Sequence, residues 1–363
     1  MLAPSRGTRP RNRRQLIIAA AAELFATKGY PHVGMSDIAS AVAIGPSALY
    51  RHFSGKQELL FEAVLSAMTS VRLDSFGSIA DWVLTNRGLG VLWQRESRHL
   101  DPAARAKLRD ELVGLQRQAA ALIRRPVADA ERDLLGWATM GALMSVSFQR
   151  IRLPAREFRE LLVTIAQDVA ATRLPVSRLD PPSTSDTTAP STRDAVLAAA
   201  IRQFAARGYH SVGIEEIGAA AGIAGPSIYH HFASKVDLLV AGMNVGAAEL
   251  RARMAAASGL GEVLGSYVDY SLAHSDVLDL LIAELDHLPD ERRGPLRAAQ
   301  RAYVAEWSRL MAEVHPHLPS AHARVRIQTA LTVTNDLART RHLSSRPGIA
   351  AETRAVGERI LRL

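Results

Sequence analysis

The sequence predicts an all-α fold built as two tandem units, and three observations carry that prediction. Sliding the chain by 179 residues lays Arg14–Val64 on Arg193–Met243 without a gap, so one module occurs twice. Phe25/Phe204, Gly29/Gly208, Tyr30/Tyr209, Ile38/Ile217, Tyr50/Tyr229, His52/His231, Phe53/Phe232 and Lys56/Lys235 all coincide in that register. Alanine-rich runs such as Ile17–Ala22 and Val196–Ala200 favour helix, because alanine loses no side-chain entropy there, and no series of alternating Val/Ile/Thr strands competes. Finally, 363 residues with 48% hydrophobic content suit two units of roughly 180 residues, each with its own core.

Charge and composition narrow the function. The net charge is +8, from 44 Lys+Arg against 36 Asp+Glu, a mild excess compatible with a polyanion partner. Its placement is uneven. Residues 1–64 hold eight basic and four acidic side chains, whereas 191–243 balance four against four. The chain has no cysteine, which excludes disulfides, thiolate nucleophiles and cysteine zinc sites together. No apolar run approaches the ~18 residues a bilayer span needs, so a soluble, cytoplasmic protein without membrane partners is expected.

Residues 1–12 read as a flexible basic arm that either tracks DNA or merely solubilises the chain. From Arg13 to Lys28, Ile17, Ala21, Leu24 and Phe25 recur at helical spacing, and Gly29 stops the helix. A second short helix is predicted over Met35–Val42, then the turn Ala43-Ile44-Gly45, then a third helix opened by Pro46, whose missing N–H costs nothing in a first turn. Ser54-Gly55 closes it, and Lys56 opens a fourth helix towards Met68. Two short helices joined by a tight turn and braced by a third make a helix-turn-helix. Ile38, Ile44, Leu49 and Phe53 then meet Phe25 in a small core, which leaves Ser47, Ala48, Arg51 and His52 projecting.

The pattern Phe25…Gly29…Asp37-Ile38-Ala39…Ile44…Leu49-Tyr50-x-His52-Phe53-x-x-Lys56-x-x-Leu59 resembles the N-terminal domain of the TetR family of transcriptional repressors, and Phe204…Gly208…Glu216-Ile217…Ile223…Tyr229-x-His231-Phe232-x-x-Lys235-x-x-Leu238 resembles it again. The resemblance implies base-edge contacts from Pro46, Ser47 and Ala48, and from Gly225, Pro226 and Ser227 in the second copy. It implies phosphate contacts from Tyr50 and Tyr229, with His52 and His231 beside them, and from Lys56 and Lys235 at a helix N-terminus. Ser36, Arg51 and His230 complete the expected DNA-facing set. The copies also depart from the family. Gly34 and Gly213 stand where a Thr or Ser cap is common, Ala48 replaces a hydroxyl residue that Ser227 keeps, and Glu215 stands where copy one has Ser36. A carboxylate facing phosphate is unfavourable, so the second copy is expected to be the weaker reader.

Beyond the first module the repeat resumes with a nine-residue shift: Glu96-x-x-His99-Leu100 matches Glu284-x-x-His287-Leu288. Read as pairs on one helix, these residues are either buried capping groups or the polar anchor of a ligand; two ligands are too few for a metal, and neither a metal nor another cofactor is expected. Residues 79–172 should form a helical bundle broken at Asp101-Pro102, Pro126 and Pro154, with a stripe of Leu134, Trp137, Met140, Met144 and Phe148. The family resemblance implies a cavity for a hydrophobic small molecule in each bundle and dimerisation through its last two helices. Trp82, Trp93, Trp137 and Trp307 therefore line a pocket or fill a core. Residues 174–192 read as an exposed Pro/Ser/Thr linker. Further helices are predicted around Leu260–Ala273, Val277–Asp286, Leu296–Val314, Arg324–Arg341 and Ala350–Leu363.

The expected organisation is a first head at 13–64, a bundle at 65–173, a second head at 193–243 and a bundle at 244–363. The expected function is a ligand-responsive regulator, most simply a repressor, that leaves a double-stranded operator when an apolar effector such as an acyl chain or acyl-CoA binds. The two halves pair either within one chain as a pseudo-dimer or as a homodimer with four heads. In the alternative reading one head works and the second copy is a dimerisation and sensing scaffold. Enzyme function is the remote alternative, since no G-x-S-x-G elbow, P-loop or dinucleotide fingerprint occurs.

Overall fold

A computed structural model describes residues 12–71, 73–175, 191–285 and 288–363. Residues 1–11 of the basic arm, 176–190 of the linker, and His287 lie outside the described residues. The described residues are helical throughout, without strands, and the chain divides into two units, 1–171 and 172–363.

The first unit runs α1 (Arg13–Lys28), α2 (Met35–Ala41), α3 (Pro46–Tyr50), α4 (Lys56–Thr69), α5 (Phe76–Thr85), α6 (Leu89–Val91), α7 (Pro102–Ala121), α8 (Asp129–Met144) and α9 (Ala155–Ala170). Breaks fall where the sequence puts them: Gly29 ends α1, Pro102 follows the Asp101 cap of α7, and Pro154 precedes α9. Asp101 earns its place by accepting the Ala104 N–H at 2.9 Å, which satisfies an otherwise orphaned donor. The bundle packs α8 against α7 and α9, with α5 on α9.

The first head has no private core. Ile17, Phe25, Ile38, Leu49, Phe53 and Leu60 are buried in one apolar cluster that continues into Leu89, Leu92, Leu100 and Leu108 of the following helices and turns. Head and bundle of this unit are therefore continuous, and the residue-64 boundary lies inside a helix, not between cores.

The second unit runs α10 (Thr192–Arg207), α11 (Ile214–Ala221), α12 (Lys235–Ala256), α13 (Leu260–Ala273), α14 (Ser275–Ala283), α15 (Asp290–Val314), α16 (Ser320–Arg339), α17 (Arg341–Ser344) and α18 (Ile349–Leu361). Its head core, with Phe204, Ile217, Ile228 and Phe232, likewise extends to Leu280, Leu285 and Leu296. Four expectations need correction. The helix predicted from Leu296 starts at Asp290 and carries Pro295 inside it; proline forfeits one backbone bond, while Asp290 and Glu291 suit the helix N-terminus. The helix predicted to Arg341 breaks at Thr340, and α14 stops at Ala283. The reading element of the second head is a 3-10 turn over Gly225–His230, not an α-helix.

The turn between the two short helices tests backbone chemistry directly. Ala43 adopts a left-handed conformation (φ 54°) at the place where the second head has Gly222 (φ 74°). Both turns close with the same bond, Ile44 N–H to Ala39 carbonyl at 3.0 Å and Ile223 N–H to Gly218 carbonyl at 2.9 Å. A Cβ in this region costs about 1–2 kcal/mol, partly offset by the extra unfolded-state freedom of glycine. Ala43→Gly is expected to stabilise the first unit by about 0.5–1 kcal/mol in urea unfolding.

Candidate nucleic-acid interface

Each head builds its reading surface from the same parts. Gly34 N–H donates to the Asp37 carboxylate and Gly213 N–H to the Glu216 carboxylate, both at 2.7 Å, so the acidic half of a capping box is kept although glycine offers no hydroxyl for the other half. Behind the reading elements Leu49, Phe53, Ile228 and Phe232 are buried. This leaves Tyr50 56% and Tyr229 54% exposed, among the few large apolar side chains that face solvent. Arg14 lies over the Phe53 ring at 5.1 Å and Arg193 over the Phe232 ring at 4.7 Å, a repeated cation–π contact the sequence reading missed. The signal was there: both pairs lie in the same 179-residue register.

Ser36, Pro46, Ser47, Arg51 and His52 are exposed in the first head, and Ala48 is half-buried. In the second, Pro226, His230 and His231 are exposed and Ser227 is half-buried. Gly225 departs from its expected place at the surface: it is buried, and a Cβ there would come within 3.0 Å of Glu215 Cα. Gly218 meets it from the other side, since a Cβ on Gly218 would sit 2.8 Å from the Gly225 nitrogen. Two glycines thus let the reading turn of the second head press closely on α11, where the first head has Ala39 and Pro46.

The lysines are less free than their expected phosphate role suggests. Lys56 Nζ donates to the Tyr30 carbonyl at 2.6 Å and lies 3.9 Å above the Tyr30 ring; Lys235 lies 4.3 Å above the Tyr209 ring. Burial pushes the pKa of both below the ordinary lysine value, opposed by the charge of Glu96 for Lys56 and of Glu216 and Glu284 for Lys235. Glu216 itself is held below the usual carboxylate range, first by the Gly213 N–H and then by Arg207, 2.5 Å away.

The candidate effector residues divide sharply. Glu96 is 1% exposed and accepts the Tyr30 backbone N–H at 2.8 Å; Glu284, also 1% exposed, accepts the Tyr209 N–H at 3.3 Å. Each glutamate thus has a backbone amide as a hydrogen-bond partner. Nor do the E-x-x-H residues share a regular helix: Glu96 closes a π-helical turn, His99 lies in a 3-10 turn, and Glu284 follows the end of α14. Trp93 is half-buried against the first head's core, Trp137, Met144 and Phe148 are half-buried, and Met140 is buried. Trp307 is fully buried and meets Tyr267 edge-on, 5.9 Å between ring centres, with Tyr303 at 6.4 Å. Among the described residues no group of three or more His, Asp or Glu side chains is placed to hold a metal, and no helix is long and apolar enough to cross a membrane.

The family described as "Bacterial regulatory proteins, tetR family" matches residues 17–63 and again 196–241. Two tetR-family modules stand in tandem in this chain. The HTH-type transcriptional activator FasR of Mycolicibacterium smegmatis is 45% identical over 49 residues, which is 14% of this chain and 22% of that protein. The chain therefore spans about a fifth of that relative's length. Among solved structures, a TetR-family transcriptional regulator from Bordetella parapertussis 12822 is 20% identical, covers 48% of this chain and 94% of its own, and superposes with a TM-score of 0.42. The fatty acid degradation regulator FadR from Bacillus halodurans is 19% identical over 48% of this chain and 97% of its own, with a TM-score of 0.37. Both tetR-family matches end within the helix that follows the reading element, so they cover the heads.

Proposed function

We propose that the protein is a DNA-binding transcriptional regulator that reads its operator chiefly with the first head and leaves it when a hydrophobic small molecule occupies a bundle. The observation that carries this reading is the duplicated tetR-family head with an exposed tyrosine, Tyr50 or Tyr229, standing on a buried core. Ser36, Pro46, Ser47, Arg51 and His52 are exposed in the first head, with Ala48 and Lys56 half-buried near them in sequence. The excess of basic residues in the first 64 positions favours this head as the dominant reader, because phosphate neutralisation supplies most of non-specific affinity. Because the reading elements differ in sequence and in helix type, one chain that supplies both heads suits an asymmetric operator.

A second reading has a specific observation behind it. Glu215 stands in the first turn of α11 at the position of Ser36 in the first head, where a DNA phosphate would approach. On that reading the second copy serves as a scaffold for pairing and sensing. Selection of bound fragments from a random duplex pool, followed by chain-to-DNA stoichiometry, tests the reading as a whole: one chain per site supports internal pairing of the halves, and two chains per site exclude it. Tyr50→Ala is then expected to lower operator affinity about tenfold, the worth of one charge-assisted bond to phosphate. If Tyr229→Ala leaves both affinity and footprint unchanged, the scaffold reading stands and the two-reader form fails. Titrating acyl chains and acyl-CoA thioesters into the operator complex tests the effector class, with dissociation expected of a repressor.

A further inference from the structure

We propose that Glu96 and Glu284 are positioning residues: each clasps a reading head to its own bundle by holding one backbone amide, and so fixes the angle at which that head meets DNA. The proposal rests on the reading of the heads as DNA-binding. Its geometric basis is independent of that reading.

The clasp in the first unit holds both backbone groups of one residue. Tyr30 N–H donates to Glu96 Oε2 at 2.8 Å, and the Tyr30 carbonyl accepts from Lys56 Nζ at 2.6 Å. Arg95 Nε pairs with Glu96 Oε1, and Arg95 Nη2 reaches the Ala26 carbonyl at 3.2 Å, near the end of α1. The His99 ring stacks on the Tyr30 ring at 4.8 Å and 14°, and the His99 carbonyl accepts from Gln57 Nε2 at 3.0 Å. The contacts of Glu96 with Tyr30, of Arg95 with Ala26 and of His99 with Tyr30 and Gln57 join the segment after α6 to α1, to the turn behind it or to the start of α4. Gly29, with φ 84°, turns the chain so that the Tyr30 amide faces the carboxylate.

The second unit repeats the essential bond. Tyr209 N–H donates to Glu284 Oε1 at 3.3 Å, Gly208 has φ 82°, and Lys235 covers the Tyr209 ring. The repetition is informative because the two halves of the contact do not share one register. The tyrosines are 179 residues apart and the glutamates 188, so nine residues entered between head and bundle while the bond was kept. A buried carboxylate is costly unless hydrogen-bonded, and here the same costly group meets the same amide twice. A solvated face or a plain core would not impose that coincidence. Each glutamate also stands at the end of the element that bridges to the bundle, so movement of that element reaches the amide of the head directly.

The test uses the full chain and an operator selected as above, in its best half-site spacing and with the spacing changed by one base pair. Glu96→Ala is expected to raise amide exchange in the 29–33 segment about tenfold or more, as for loss of a bond to a charged group, while exchange around Ile38 stays unchanged. It is also expected to shrink the affinity ratio between the two operator spacings at least about threefold, with Glu96→Gln, which keeps an acceptor oxygen, restoring most of both. A merely structural role would lower affinity for both operators alike and leave the ratio intact. Unchanged exchange at Tyr30, or raised exchange with an unchanged spacing ratio, overturns the proposal. Should Glu96→Ala unfold its unit, Glu96→Gln and the independent Glu284→Ala at Tyr209 make the same comparison. A wild-type chain that binds no duplex instead overturns the DNA-reading assignment, and the exchange arm then judges the clasp by itself.

Discussion

Phe25→Ala is expected to destabilise the first unit by about 3–5 kcal/mol and to erase the footprint of the first head. The ring is fully buried, packs 5.3 Å from the Tyr30 ring, and lies in a cluster shared by α1, α2, α4 and the segment after α6. Truncation removes the transfer energy of the ring and leaves a cavity that these short, mutually braced helices can close only by shifting the reading element. A head of this size buries too little surface to absorb such a loss alone. Because the cluster runs on into Leu89, Leu92, Leu100 and Leu108, the damage is expected to spread through the same unit. Phe204→Ala is the twin: also fully buried, 5.4 Å from the Tyr209 ring, and set in a cluster that reaches Leu280 and Leu285. Hydrogen exchange followed residue by residue in urea separates the two variants. If Phe25→Ala protects and exposes both heads equally, the heads are not the independent readers described above.

The two variants also show why the heads were legible in the sequence and the rest less so. Phe25, Ile38, Leu49 and Phe53 meet within a window of some thirty residues, so helical spacing alone brings them together. Proline and glycine punctuation placed the starts of α3 and α7 and the end of α1, since a missing N–H or a positive φ acts on its own neighbours. The clasp was not legible as a clasp. Glu96 and Tyr30 are 66 positions apart, and nothing local tells a buried cap from a ligand's anchor. What the sequence did offer was the repetition of Glu-x-x-His-Leu, a signal that the residues matter but not what they touch. Local rules also erred where tertiary contacts overrode them. Pro295 does not break α15, and the second reading element, whose Gly225 packs closely on Gly218, is a 3-10 helix. The half-buried ion cluster of Arg339 with Asp279 and Asp336 joins α14 to α16 across 60 residues, again beyond the reach of periodicity.

Raising the pH is expected to unfold the second unit before the first. Tyr267 is buried and donates to Asn335 Oδ1 at 2.9 Å; burial pushes its pKa from 10.0 up to about 12, with the bonds to Asn335 and Ser271 pulling slightly the other way. Tyr270 and Tyr303 are raised further still, again chiefly by burial. Tyr267 and Tyr303 pack against Trp307, and all three tyrosines lie in α13 and α15, whereas the first unit has only Tyr30 and Tyr50. The sign follows from the direction. A tyrosine whose folded pKa is above its unfolded value contributes stability that is fully present below the unfolded pKa of about 10 and is lost as the pH climbs through the folded value. For Tyr267 the loss amounts to roughly 2–3 kcal/mol by pH 12, and the other two add to it. Tyrosinate absorbance should therefore rise cooperatively with the loss of helix in the second unit, while helices of the first persist. Tyr303→Phe, which removes one titrating group and keeps the ring, is expected to move that midpoint to higher pH. A compound that binds the folded second unit should move it the same way by mass action, which turns alkaline unfolding into a screen for the effector. If tyrosinate instead forms smoothly near about pH 10 with the helices intact, these hydroxyls are open to water and the aromatic core of the second unit is not closed.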